Sequence, residues 1–253
     1  MYLLTCMVRQ KFKSNLFFFH QDVERLRSDG LMLTVILSSG EGMPVHYYDQ
    51  IGRTFVDYLL DYIEEPPSRH FEVEVCDVFI GVLLAYNLQF RDISSNTMIQ
   101  TLSRRVNAKT FIEKILLLLN RDEDPTAIIE GEYTYGLDTD IELERDVHAT
   151  QKIMMDIFRH RDCNKLFYTN DLYVLIDIIV RQLCDLSYED PKRGIYVDMC
   201  ELVLRHSNYD EHLHRFKDLE HCFLRILEEE ESRDRKKISD VCKDISAFSS
   251  LVI

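Results

Sequence analysis

The stretch from residue 166 to 186, LFYTNDLYVLIDIIVRQLCDL, constrains the chain most. Between Leu172 and Leu186 only Asp177, Arg181, Gln182 and Asp185 are strongly polar. Fifteen residues without Gly or Pro exceed the usual length of a strand, so the segment reads as a helix despite its isoleucine and valine content. A helix this apolar has to be covered by neighbours on several sides. Thr169, Asn170 and Asp171 mark its start, since each offers an oxygen to the unpaired N–H groups of a first turn. The segment is therefore expected to be the central helix of an all-helical stack.

Its polar positions then become informative. Asp177, Arg181 and Asp185 follow one another at spacings of four and form one narrow stripe. The commoner meaning of such a stripe is a solvated charge ladder, contributing about 0.5 kcal/mol per pair. The sharper meaning is the polar lining of a groove that meets another protein.

The remaining chain suits helices. A length of 253 residues at 46% hydrophobic content supports a sizeable core, and eight glycines with five prolines are few for a turn-rich β fold. A net charge of −14 argues against duplex DNA or RNA as a main partner, because such binding needs Lys and Arg to neutralise phosphates. A basic protein partner stays open. Residues 121–146 hold ten Asp and Glu against two Arg, so this loop-like segment carries a balance of −8. The opening MYLLTCMV runs into Arg9, Lys11 and Lys13 without a cleavage site, and no apolar run reaches eighteen residues. No secretory signal and no membrane span are expected, and the location expected is the cytoplasm. The seven cysteines are odd in number and scattered (Cys6, Cys76, Cys163, Cys184, Cys200, Cys222, Cys242), which fits reduced, packed thiols.

In order, apolar periodicity gives a helix over residues 1–23, a break at Ser28, Asp29 and Gly30, and a buried helix or strand over 31–37, read as helix. A turn follows at 40–44. Further helices are expected over 46–64 (ended by Pro66 and Pro67), 71–88, 96–106, 109–120, 149–161 and 210–228, with a last one through Ile238, Val241, Ile245 and Phe248. Asp190 caps another, with Pro191 at its first position. About ten helices with short connections predict an all-α, armadillo/HEAT-like helical stack, a single elongated domain over residues 1–253. No strict repeat is visible, and an irregular bundle is the alternative.

Residues suited to chemistry are sparse. His206, His212, His214 and His221 with Cys222 form the best metal candidate, yet no CxxC or HExxH spacing is present. On one helix His212 and His214 would point about 200° apart, which disfavours a shared ion. Asp138 and Asp140 lack the glycine and distal Glu of an EF-hand loop. There is no phosphate-cradling glycine loop and no serine-hydrolase elbow. Arg104, Arg105 and Lys109, and separately Arg159, Arg161 and Lys165, are small basic groups with acids nearby and read as ordinary surface. No catalytic residue, cofactor or metal is expected, and the residues alone lead to a helical interaction protein.

Four motifs add a resemblance. LFYTNDLYVLIDIIVRQLCDLS (166–187), with LLLLNRDEDP (116–125) and AYNLQF (85–90) before it and RILEEEES (225–232) after it, resembles the leucine-rich, armadillo-like domain of the Nck-interacting protein with SH3 domain (WISH/DIP) family and its fungal relatives. The resemblance covers residues 80–232 and extends in weaker form over the chain. It implies binding to the Arp2/3 complex and its activation without a preformed mother filament, seeding linear actin filaments. An armadillo-type adaptor without that activity is the alternative. Animal members also carry an SH3 domain and proline-rich segments, which are absent here, so Nck binding is not implied. The expected contact surface is the stripe Asp177, Arg181 and Asp185 with Asn170 near the helix start, joined by Lys192 and Arg193 as exposed groups of the next helix.

Overall fold

The computed structural model describes residues 19–39, 42, 51–66, 72–127, 148–229 and 232–251. Among them are eleven α-helices: α1 (Phe19–Ser38), α2 (Arg53–Glu64), α3 (Glu72–Leu88), α4 (Thr97–Leu102), α5 (Lys109–Arg121), α6 (Ala149–Arg159), α7 (Thr169–Asp185), α8 (Pro191–His206), α9 (Tyr209–His212), α10 (Phe216–Glu228) and α11 (Asp234–Asp244). Short 3-10 turns stand at Ile93–Ser95, Asn164–Leu166 and Ser246–Leu251.

Consecutive helices pack as hairpins, α2 on α3, α5 on α6, α7 on α8 and α10 on α11. The hairpins stack so that like meets like. One layer runs α1, α3, α6, α8, α11 and the other α2, α5, α7, α10, each helix touching the next in its row. This is the neighbour-on-neighbour logic of a helical repeat array, and it bears out the all-α stack. One continuous core runs from Leu26 to Phe248. The repeat is hidden in the sequence because its spacers differ: α4 lies between the first two hairpins, a long segment separates α5 from α6, and α9 intrudes before α10.

The most enclosed helix is α3 rather than α7. Residues 79–87 of α3 are buried without interruption, whereas α7 keeps one face open. Helices α1, α2, α4 and α6 cover α3. Its buried polar end is satisfied by side chains. Asn87 donates from Nδ2 to the buried carboxylate of Asp156 on α6 at 3.0 Å and accepts at Oδ1 from Asn96 at 2.7 Å. Asn96 in turn caps α4, accepting from Ile99 N–H. Lys152 and Arg159 neutralise Asp156 from α6 itself. The neighbouring residues of the AYNLQF motif are structural too, with Tyr86 edge-on to Phe90 at 5.1 Å and Gln89 reaching the Leu37 carbonyl.

The break expected at residues 28–30 is absent, since α1 runs unbroken through Gly30. Gly30 serves as a contact point instead. A Cβ built there would lie 2.4 Å from Val78 Cγ1, so the missing side chain lets α1 and α3 approach. The helix expected over 210–228 is broken where Leu213 and Arg215 adopt left-handed backbone angles (φ 48° and 54°). Tyr209 fixes that turn, being buried and donating its hydroxyl hydrogen to the His214 carbonyl at 3.1 Å. The helix expected over 96–106 stops at Leu102, and Arg105 turns back to Asp57 and Asp61 on α2. Asp190 and Pro191 start α8 as expected, with the Asp190 carboxylate accepting from Lys192 N–H at 2.9 Å.

Residues 121–127 turn out to be ordered supports. Asp122 ends α5 in the left-handed region, and Asp124 crosses to accept from Ala149 N–H, the start of α6, at 2.8 Å. The expected helix before Phe19, the turn at 40–44 apart from Gly42, the start of the 46–64 helix up to residue 50, and residues 128–147 of the acidic segment lie outside the described residues.

Two stability outcomes follow from the α3 contacts. Gly30→Ala gains about 1 kcal/mol of helix propensity, but Val78 is β-branched and stiff, and overpacking costs about 1 to 3 kcal/mol. Urea unfolding should therefore show net destabilisation. Asn87→Ala leaves Asp156 and Asn96 each short of a buried partner and should lower stability by roughly 2 to 3 kcal/mol, with the helical circular dichroism of the folded baseline unchanged.

Candidate interaction surface

Helix α7 buries Leu172, Leu175, Ile176, Ile178, Ile179, Val180 and Leu183 against α5, α8 and α10. Asp171 at its third position reaches back to accept from Tyr168 N–H at 3.0 Å, so the polar start seen in the sequence does cap the helix. The face left open runs Asn170, Val174, Asp177, Arg181, Cys184 and Asp185. These spacings of three and four make one row along the helix.

The predicted charged residues are exposed but mostly engaged. Arg181 donates from Nη1 to Asn120 Oδ1 at 3.0 Å and from Nη2 to Asn120 O at 2.9 Å, latching α7 to the end of α5. Asp177 accepts from His214 Nε2 at 3.0 Å and Arg215 Nη1 at 3.1 Å, holding the turn between α9 and α10. Lys192 reaches Asp122 at 2.6 Å, and this hydrogen bond raises the lysine's pKa above its ordinary value. Asn170 and Asp185 are exposed and stand clear of ion pairs among the described residues.

Arg193 corrects the sequence reading. Expected on the surface, it is 1% exposed. Its Nε donates to Asp234 at 2.8 Å, while Nη1 and Nη2 donate to the two Glu229 oxygens at 2.9 and 2.7 Å and Nη2 also reaches Ser232 Oγ at 2.8 Å. The guanidinium thus clamps the connection from α10 to α11 under the first turn of α8. Five N–H donors in a planar fork suit such a multi-carboxylate site, which explains an arginine there.

Sequence reasoning missed the apolar members of the surface. Val174 is 46% exposed, and Tyr168 and Tyr188 flank the row at 56% and 49%. Val174 shares the spacing of the charged residues, which was the available signal. The histidines were misplaced for a physical reason. His212 and His214 do not share a helix, and both reach Tyr173, His214 stacked at 4.3 Å and His212 edge-on at 5.9 Å. A small pocket lies beside them, lined in part by Leu172, Tyr209 and Val203. Among the described residues no group of three or more His, Cys, Asp or Glu side chains is placed to hold a metal ion. Asp138 and Asp140 lie outside the described residues. Of the basic groups, Lys109 pairs with Glu113 and Arg159 with Asp156, while Arg104, Arg161 and Lys165 are exposed. No described helix is long and apolar enough to cross a membrane.

The Arg193 clamp also sets a pH dependence. Hydrogen bonding to Arg193 holds the Glu229 carboxyl below its ordinary value. A carboxylate depressed in the folded state stabilises it fully above the unfolded-state pKa, and that stabilisation is lost as pH falls through the folded value. Arg193→Met strands two carboxylates and should cost about 3 kcal/mol in chemical denaturation at pH 7. The deficit against the unmodified protein should shrink between about pH 5 and pH 3 as the Glu229 carboxylate protonates.

The family model described as SPIN90/Ldb17, leucine-rich domain, matches residues 72–219, which is more than half of the chain. The matched span opens with α3, includes the α7 row and closes inside α10. With the helical stack and the family resemblance of the 166–187 block in agreement, the chain belongs to the SPIN90/Ldb17 leucine-rich domain family.

Proposed function

We propose that this protein is a cytoplasmic regulator of actin nucleation that binds the Arp2/3 complex and activates it without a preformed mother filament. The match to the SPIN90/Ldb17 leucine-rich domain carries the reading, and the exposed row on α7 supports it by offering a face for a protein partner. Actin is engaged indirectly, through the nucleator. The protein carries out no chemistry on the nucleator; it raises the population of the active arrangement of the nucleator by binding that arrangement better.

Asn170, Val174 and Asp185 make up the contact surface, with Asp177, Arg181 and Lys192 as members that also hold the stack together. Arg193 is excluded by its burial. A row mixing an exposed valine, two flanking tyrosines and charges has the composition of a protein–protein contact.

The test is a pyrene-actin assembly assay with purified Arp2/3 complex, this protein and no filament seeds, with filaments imaged in parallel. Faster assembly into unbranched filaments is expected. Binding without acceleration would leave an adaptor of armadillo type, and no binding would remove the proposal. Asp185→Lys combined with Val174→Asp should weaken binding at least tenfold while leaving the unfolding midpoint within about 2 °C, since both positions are exposed. Arg181→Glu is a poorer probe because it also breaks the bond to Asn120.

A further inference from the structure

Six cysteines lie in the described residues, and five are buried: Cys76, Cys163, Cys200, Cys222 and Cys242. Cys184 alone is exposed. Its sulfur lies 3.3 Å from that of Cys222, which belongs to a different helix and is 38 positions away in the chain. The surroundings hold the two helices in register at that point. Arg225, one turn beyond Cys222 on α10, donates from Nη1 to the Cys184 carbonyl at 3.1 Å and from Nη2 to the Leu183 carbonyl. These bonds tie the last turn of α7 to α10 beside the sulfurs.

We propose that Cys184 and Cys222 form a peroxide-responsive disulfide that joins α7 to α10 covalently. The exposed thiol is the one that meets a peroxide. Burial pushes the Cys222 thiol up to about 12, so it stays protonated and waits as the resolving partner. The Cys184 sulfur attacks one oxygen of hydrogen peroxide as its thiol proton passes to the other, the O–O bond breaks, and water leaves, giving a sulfenic acid at Cys184. The Cys222 sulfur then attacks the Cys184 sulfur, the S–O bond breaks, and the hydroxyl leaves with the Cys222 proton as water. Two thiols are oxidised and one peroxide is reduced to two waters. The sulfurs need only close from 3.3 Å to a bond of about 2.05 Å. The cross-link closes a loop containing α8 and α9. It fixes the end of the exposed α7 row against α10 and restricts the unfolded chain.

The test treats the full chain with equimolar hydrogen peroxide and reads intact mass, a non-reducing peptide map and the thermal midpoint. A loss of two hydrogens is expected, with the peptides carrying Cys184 and Cys222 joined. The midpoint should rise by about 5 °C and return on adding dithiothreitol. Cys184→Ser, at an exposed position, should abolish both changes. Cys222→Ala should leave a sulfenic acid at Cys184 that dimedone captures. Unchanged mass, a link to any other cysteine, a disulfide between two copies, or sulfinic acid as the first product would each overturn the proposal.

Discussion

The burial of α3 on all sides forces the remaining arrangement. A helix with nine consecutive buried residues needs partners in both layers of the stack, and α1, α2, α4 and α6 supply them. Burying it also encloses polar groups at its end, which costs free energy unless each finds a partner. The Asn96–Asn87–Asp156 chain meets that demand with directional bonds, and direction is what packing alone lacks. A slip of one helix against another would leave Asp156 buried with too few donors. The polar chain therefore fixes the register in which the first hairpins stack.

Further along the stack the same role passes to charged side chains near the surface. Arg181 to Asn120 joins α7 to α5, Lys192 to Asp122 joins α8 to the end of α5, and Arg193 joins α8 to both ends of the α10–α11 connection. Each bond crosses from one hairpin to a neighbour. The exposed ones contribute little stability singly, because water screens them. Arg193 differs, being buried itself against the largely buried Asp234 and the half-buried Glu229, so that removing it leaves two carboxylates without their counter-charge.

Much of this was legible in the sequence, and the failures have specific causes. The helical stack, the Asp190–Pro191 start of α8 and the apolar core of α7 follow from periodicity and capping chemistry, which are local. The break expected at Gly30 failed because glycine has two uses, ending a helix or admitting a neighbour, and only the distance to Val78 separates them. The single helix expected over 210–228 failed because Tyr209 and Tyr173 reward a turn that Leu213 and Arg215 locally disfavour. Arg193 was expected outside because arginine is rarely buried, and its three partners on the α10–α11 connection lie about forty positions further along the chain. The α7 stripe was visible as charge, while the exposed Val174, which shares the stripe's spacing, was not assigned to it.

The double use of the α7 stripe bears on how such a surface could act on a partner. Binding shifts a two-state equilibrium only by the difference in affinity for its two states, and a shift from 1:99 to 99:1 needs about a 10⁴-fold difference. A surface that yields to either state has no such preference. Asp177 and Arg181 are held by the α9–α10 turn and by the end of α5, so their positions are set before a partner arrives. Moving them would break bonds inside the protein, and that cost falls on whichever partner state fits the row less well. Latches that are weak as contributors to stability are in this way strong as contributors to discrimination.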